Sequence, residues 1–134
     1  MKHVWGVSLL LFCLLCSCGK DENYIPEVPV NFNITVQEFG LKAVNGVLLV
    51  PNQGVKGMVI VSLPTGYVAF DRCSSVNPQE GCQVVPDNSF TATDPCTGAK
   101  FSLIDGSPQK APAVRYLKKY NAVLLGGQMI NVRN

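Results

Sequence analysis

The sequence predicts an all-β fold, a sandwich or a barrel, on three observations. Nine prolines and twelve glycines punctuate the chain. Between them lie short apolar runs rich in Val, Ile, Leu, Phe and Tyr, each bounded by turn-forming residues. No long segment carries helical periodicity. Short strands at this spacing are the pattern of an antiparallel sandwich or barrel, and neither an internal repeat nor a low-complexity tract interrupts it.

Three segments precede or form that fold. Residues 1–17 read as a signal peptide: Met1-Lys2-His3 is a basic start, and Val4 to Ser17 is an apolar run. The run is too short to span a bilayer, which takes roughly 20 apolar residues. It ends in Leu15-Cys16-Ser17-Cys18, which resembles the lipobox of bacterial lipoproteins, with Cys18 as the lipidated residue. Stable anchoring takes at least two acyl chains, and diacylation of one cysteine supplies them. Residues 18–29 read as a tether, polar through Gly19-Lys20-Asp21-Glu22-Asn23 and kept extended by Pro26 and Pro29. Lys20-Asp21-Glu22 resembles an export signal for display on the outer face of the Gram-negative outer membrane, and a plain solvated linker has the same composition. The expected location is therefore a lipid anchor in the outer membrane, facing either the surface or the periplasm.

Residues 30–134 read as one domain of about 105 residues, inside the usual single-domain range. The β-rich runs are Val47–Val50, Met58–Leu63, Tyr67–Phe70, Ser89–Thr93, Lys100–Ile104, Ala122–Leu125 and Met129–Val132. Pro51-Asn52, Pro64-Thr65-Gly66, Pro86-Asp87-Asn88, Asp105-Gly106 and Gly126-Gly127 separate them as turns. Gly40 to Asn45 has room for a helical turn bounded by Gly40 and Gly46. Phe101 and Leu103 alternate with Lys100 and Ser102, so one face is expected buried and one wet. Lys118-Lys119 between Tyr116 and Tyr120 reads as a strand with a wet edge, where lysine blocks edge pairing.

Charge and composition exclude several functions. With Lys2 gone in the leader, ten of the eleven Lys and Arg remain against nine acids, so the basic footprint of a nucleic-acid binder is missing. The only histidine is His3, so a nucleophilic role for Cys73 has no imidazole base in the mature chain. Arg72 beside Cys73 reads as a surface arginine. Cys73, Cys82, Cys96 and Asp94 are suitable zinc ligand types, but their spacing lacks the close cysteine pairs of structural zinc sites. With Cys13 and Cys16 in the leader and Cys18 lipidated, three thiols remain for the domain, enough for one bridge and one free cysteine. An exported chain lives where disulfides persist.

Two motifs point further. Asp94-Pro95-Cys96-Thr97-Gly98-Ala99-Lys100-Phe101, followed by Asp105-Gly106 and Ala111-Pro112-Ala113, resembles the second metal-binding loop of Rieske iron–sulfur domains and the strand, turn and proline run after it. Cys73-Ser74-Ser75 resembles the first loop, where the family has Cys-x-His. The resemblance implies a Rieske-like antiparallel β-sandwich with two loops at one end. It also implies a disulfide between those loops, with Cys82–Cys96 the favoured pair and Cys73–Cys96 or Cys73–Cys82 as alternatives. A bridge closing a loop of about 15 residues contributes on the order of 3 kcal/mol.

A Rieske [2Fe–2S] centre takes two cysteines on one iron and two histidines on the other. By resemblance Cys73 keeps a cysteine position and Asp94 takes the other, while Ser75 and Thr97 take the two histidine positions. The expectation is a non-catalytic envelope lipoprotein without a cofactor, its ligand-degenerate domain serving a structural role or an interaction with an envelope protein. The alternative is an electron-transfer protein with an atypical [2Fe–2S] cluster.

Overall fold

The computed structural model describes residues 25–134, so the expected leader, Cys18 and most of the tether lie outside the described residues. Ten strands form two antiparallel sheets. The larger has six strands: β1 (Asn31–Thr35), β2 (Val47–Val50), β3 (Met58–Leu63), β4 (Gly66–Asp71), β9 (Lys119–Leu125) and β10 (Met129–Arg133). Their order across the sheet is β1-β10-β9-β4-β3-β2. The smaller sheet has four, in sequence order: β5 (Val85–Pro86), β6 (Thr91–Thr93), β7 (Lys100–Ser102) and β8 (Pro108–Lys110). Its hairpins are inserted between β4 and β9, which pair across Ala69–Tyr120 and Phe70–Lys119.

β3 shows why the two sheets cohere. Met58, Val59, Ile60 and Val61 are all fully buried, so this strand presents apolar side chains on both faces. Met58 and Ile60 join Ile34, Phe39, Val50, Ile130 and Val132 in one apolar cluster on the larger sheet. Val59 and Val61 pack instead with Phe70, Val84, Phe101 and Leu103, joining the two sheets. The one α-helix among the described residues, α1 (Val36–Lys42), begins where Thr35 Oγ1 accepts the Glu38 N–H at 3.0 Å, and it buries only Phe39. Phe39 then meets the edge of the Tyr67 ring at 5.2 Å between centroids.

Several sequence expectations need correction. The helix starts upstream of Gly40, takes Gly40 into its interior and ends at Lys42, because the Thr35 cap sets its start. β1 and β8 carry too many polar residues to read as strands, yet pairing with β10 and β7 makes them so. Lys118-Lys119 mark no edge: Lys119 opens β9, an inner strand hydrogen-bonded to both β10 and β4, and Lys118 pairs with Glu27 at 2.6 Å. Arg72 is half-buried, with its Nε donating to the Val84 carbonyl at 3.0 Å, so it braces the first loop. Ser102 is buried with Phe101 and Leu103 because its hydroxyl accepts the Ile104 N–H at 3.0 Å.

Candidate functional site

Two loops leave the sandwich at one end. The first runs from Arg72 to Val84 and closes on itself. Ser74 N–H donates to the Cys82 carbonyl and Val84 N–H to the Arg72 carbonyl, at 2.9 and 2.8 Å. A short 3-10 turn, Pro78–Glu80, forms its tip, flanked by Asn77 and Gly81 with positive φ. The second loop follows β6 as a tight turn, in which Gly98 N–H donates to the Asp94 carbonyl and Asp94 N–H to the Ala99 carbonyl, both at 2.8 Å. Gly98 has φ +79°, a conformation that glycine enters without strain.

A disulfide joins Cys82 of the first loop to Cys96 of the second. Cys73 is a free, fully buried thiol. Its Sγ lies 3.7 Å from the Pro78 carbonyl and 3.8 Å from that of Ser74, weak contacts within its own loop. Burial pushes the Cys73 thiol up to about 11, with a smaller contribution from the charge of Asp71. That is the reverse of the cation-lined surroundings of reactive thiolates.

Asp94 is fully buried and forms the polar junction between the loops. Ser74 Oγ donates to Asp94 Oδ2 at 2.7 Å, and Cys96 N–H donates to Oδ1 at 2.8 Å. Ser74 Oγ also accepts the Val76 N–H at 3.1 Å. Ser75 and Thr97, on different loops, line one pocket of about 330 Å³ together with Pro112 and Val114. Ser75 Oγ donates to the Arg115 carbonyl at 2.9 Å, tying the first loop to the Ala111–Leu117 run beneath it. Thr97 Oγ1 accepts the Ala99 N–H at 3.2 Å.

The four residues that the motif likeness sets at the family's ligand positions are thus one buried thiol, one buried carboxylate and two hydroxyls. Neutral hydroxyls are poor iron ligands, and a Rieske centre takes imidazole at those two positions. The donor set does not fit the [2Fe–2S] group. Among the described residues one further group has metal-ligating atoms within 4.8 Å of one another, namely Cys82, Asp94 and Cys96, with both sulfurs committed to the disulfide.

Sequence reasoning missed the node that holds the first loop in place. Asp71, the last residue of β4, is fully buried and accepts four hydrogen bonds. Val55 N–H and Tyr120 O–H reach Oδ2 at 2.6 Å, and Cys73 N–H and Lys56 N–H reach Oδ1 at 2.8 and 3.2 Å. Burial and this hydrogen bond push the Tyr120 hydroxyl far above the ordinary tyrosine range. Gly54 belongs to the same node: a Cβ there would strike the Asp71 carboxylate and the Tyr120 hydroxyl. The one sequence signal was an acid closing an apolar strand two residues before the loop cysteine.

No protein-family model and no curated protein matches the sequence. Solved structures do match the fold. The cyanobacterial plasma membrane Rieske protein PetC3 from Synechocystis PCC 6803 is similar at a TM-score of 0.55 and 25% identity, over 78% of this chain and 98% of that one. A chain from the complex of reduced oxygenase and oxidized ferredoxin in carbazole 1,9a-dioxygenase is similar at a TM-score of 0.55 and 14% identity, over 78% of this chain and 93% of that one. The second likeness speaks for the fold alone. Two antiparallel sheets, two loops at one end, the disulfide between them and the match to a solved Rieske protein identify a Rieske-like domain within the described residues.

Proposed function

We propose that this domain has exchanged its iron–sulfur cluster for a loop clamp and serves as a non-catalytic structural or interaction module at the cell envelope. The observation that carries this reading is the set of partners around Asp94. The side chain at a cysteine-ligand position is engaged by the Ser74 hydroxyl of the opposite loop and by the Cys96 N–H. Buried polar groups are costly unless paired, and this carboxylate is paired across the two loops that a cluster would otherwise hold together. The hydroxyls of Ser75 and Thr97 are likewise engaged with backbone, and the chain's only histidine is His3. Fold likeness does not carry function, since function resides in the site.

A lipid anchor at Cys18 completes the reading, supported by the short apolar leader and the small residues before that cysteine. Among the described residues no helix is long and apolar enough to cross a membrane. The similar cyanobacterial protein is a plasma membrane Rieske protein, which agrees with an envelope setting. Two measurements test the proposal. Iron and acid-labile sulfide in protein purified from iron-replete cells should both be far below one per chain. Stoichiometric iron and sulfide would instead make electron transfer through an atypical [2Fe–2S] cluster the function. Cys18→Ala should release the protein from the membrane fraction or stall it as a precursor, whereas normal processing with unchanged membrane partition would refute lipidation there.

A further inference from the structure

The loop junction holds a second chemistry. Cys82 and Cys96 bring two sulfurs, and Asp94 a carboxylate oxygen, to within 4.8 Å of one another. The spacing of these residues in the chain does not suggest a metal site; the meeting of the two loops supplies the proximity that the spacing lacks. While the disulfide stands, neither sulfur is a ligand. The bridge is open to solvent, for Cys96 is exposed and Cys82 half-buried, so a small reductant has access to it.

Asp94, in contrast, is buried and already oriented. Ser74 Oγ holds one carboxylate oxygen and Cys96 N–H the other. Each carboxylate oxygen offers two acceptor sites, so both keep one for a cation. Hydrogen bonds of this kind orient ligating carboxylates in metal centres. Zinc takes thiolate sulfur at about 2.3 Å and carboxylate oxygen at about 2.0–2.2 Å in a tetrahedron, which requires the two sulfurs to part to roughly 3.8 Å. Side-chain rotation of the exposed Cys96 supplies a movement of that size.

We propose that reduction of the Cys82–Cys96 disulfide converts the loop junction into a mononuclear site for Zn²⁺ or a similarly thiophilic divalent cation, held by Cys82, Cys96 and Asp94 with the fourth position open to water. A dithiol reductant delivers two electrons and two protons to the disulfide and leaves as its own disulfide. Cation binding then releases the two thiol protons to solvent. The metal thereby replaces the covalent bridge as the tie between the loops. The inference rests on the preceding reading only in that no cluster iron holds Asp94; iron and sulfide analysis tests that reading, and cation binding after reduction tests this one.

The full chain is reduced anaerobically with dithiothreitol, freed of reductant and titrated with Co²⁺ and then Zn²⁺. One Co²⁺ per chain is expected, with a thiolate-to-cobalt charge-transfer band and tetrahedral visible bands that Zn²⁺ displaces, while the unreduced chain gives none. Asp94→Asn is expected to weaken Co²⁺ binding by about tenfold or more while keeping the charge-transfer band. Cys73→Ser is expected to leave the titration unchanged. Should Asp94→Asn unfold, X-ray absorption at the zinc edge of the reduced wild-type chain reads the ligand shell directly, and two sulfurs with two light-atom ligands support the site. Three outcomes would overturn it: a reduced chain that keeps its far-UV circular dichroism but shows no band, binding lost in Cys73→Ser, or affinity unchanged in a folded Asp94→Asn.

Discussion

The base of the first loop and its junction with the second are each built on a buried aspartate, and the two differ in how many donors the carboxylate holds. Asp71 gathers donors from residues 55–56, from Cys73 and from β9, so one carboxylate fixes four points of the larger sheet and its loop. Among the described contacts Asp94 takes one donor from across the loops, Ser74, and one from its own turn. The covalent bond between Cys82 and Cys96 supplements that thin polar contact. The base is therefore over-determined by packing and hydrogen bonds, and the junction rests on two ties. A fold arranged this way concentrates its contacts at the base rather than at the loop end.

The largest effect should come from breaking the base. Asp71→Ala leaves four donors without their acceptor, and a loss on the order of 4 kcal/mol is expected in urea unfolding. A loss below about 1 kcal/mol would mean that water enters the node and that the base is not what positions the loop. The disulfide comes next. Cys82→Ser with Cys96→Ser should cost about 3 kcal/mol by loop-closure entropy and leave the far-UV circular dichroism of the folded state unchanged. Collapse of the β signal in that variant would show that the junction supports the sheets and would erase the contrast between the two regions.

Ser74→Ala tests the thinner tie, because it removes the donor that reaches Asp94 from the other loop. About 1–2 kcal/mol should be lost, and hydrogen exchange should rise at Cys96 and Gly98 while residues 58–61 stay protected. Equal acceleration in both places would deny that the regions are independent. The smallest effect concerns Cys73. Its thiol is held near 11 by burial and by Asp71, above the ordinary cysteine range, so the folded state retains a proton that the unfolded chain loses. Stability from this group is present below about pH 8.5 and is lost as pH rises through about 11. Cys73→Ser should flatten the alkaline limb of the stability profile, and native Cys73 should alkylate roughly a hundredfold more slowly than a free cysteine at neutral pH. Labelling at the free-cysteine rate would place that thiol in solvent.

The two regions also differed in how far the sequence disclosed them. β2, β3, β4, β9 and β10 were legible because their apolar residues cluster between glycine and proline turns. β1 was not, since Asn31-Phe32-Asn33-Ile34-Thr35 has two buried or part-buried apolar positions and takes its strand character from β10. The loop end was legible through motif likeness, which favoured Cys82–Cys96, the bridge that forms. Ser74 and Asp71 escaped notice because a buried polar side chain has no sequence pattern of its own. Its burial follows from the donors that the fold brings to it, and Val55 and Tyr120 lie far from Asp71 along the chain. Arg72 and Lys119 misled for the same reason: charge suggests exposure, and only tertiary pairing shows otherwise.

The most direct test offers the domain the cofactor whose ligands it has changed. The protein is reduced, incubated anaerobically with ferrous iron and sulfide, desalted, and examined by visible absorption and by low-temperature EPR after dithionite reduction. With a thiol, a carboxylate and two hydroxyls at the four ligand positions, the account predicts no visible cluster band and no rhombic signal from a reduced [2Fe–2S] centre. A rhombic signal integrating to about one spin per chain would show that these residues still hold a cluster, and would contradict the account.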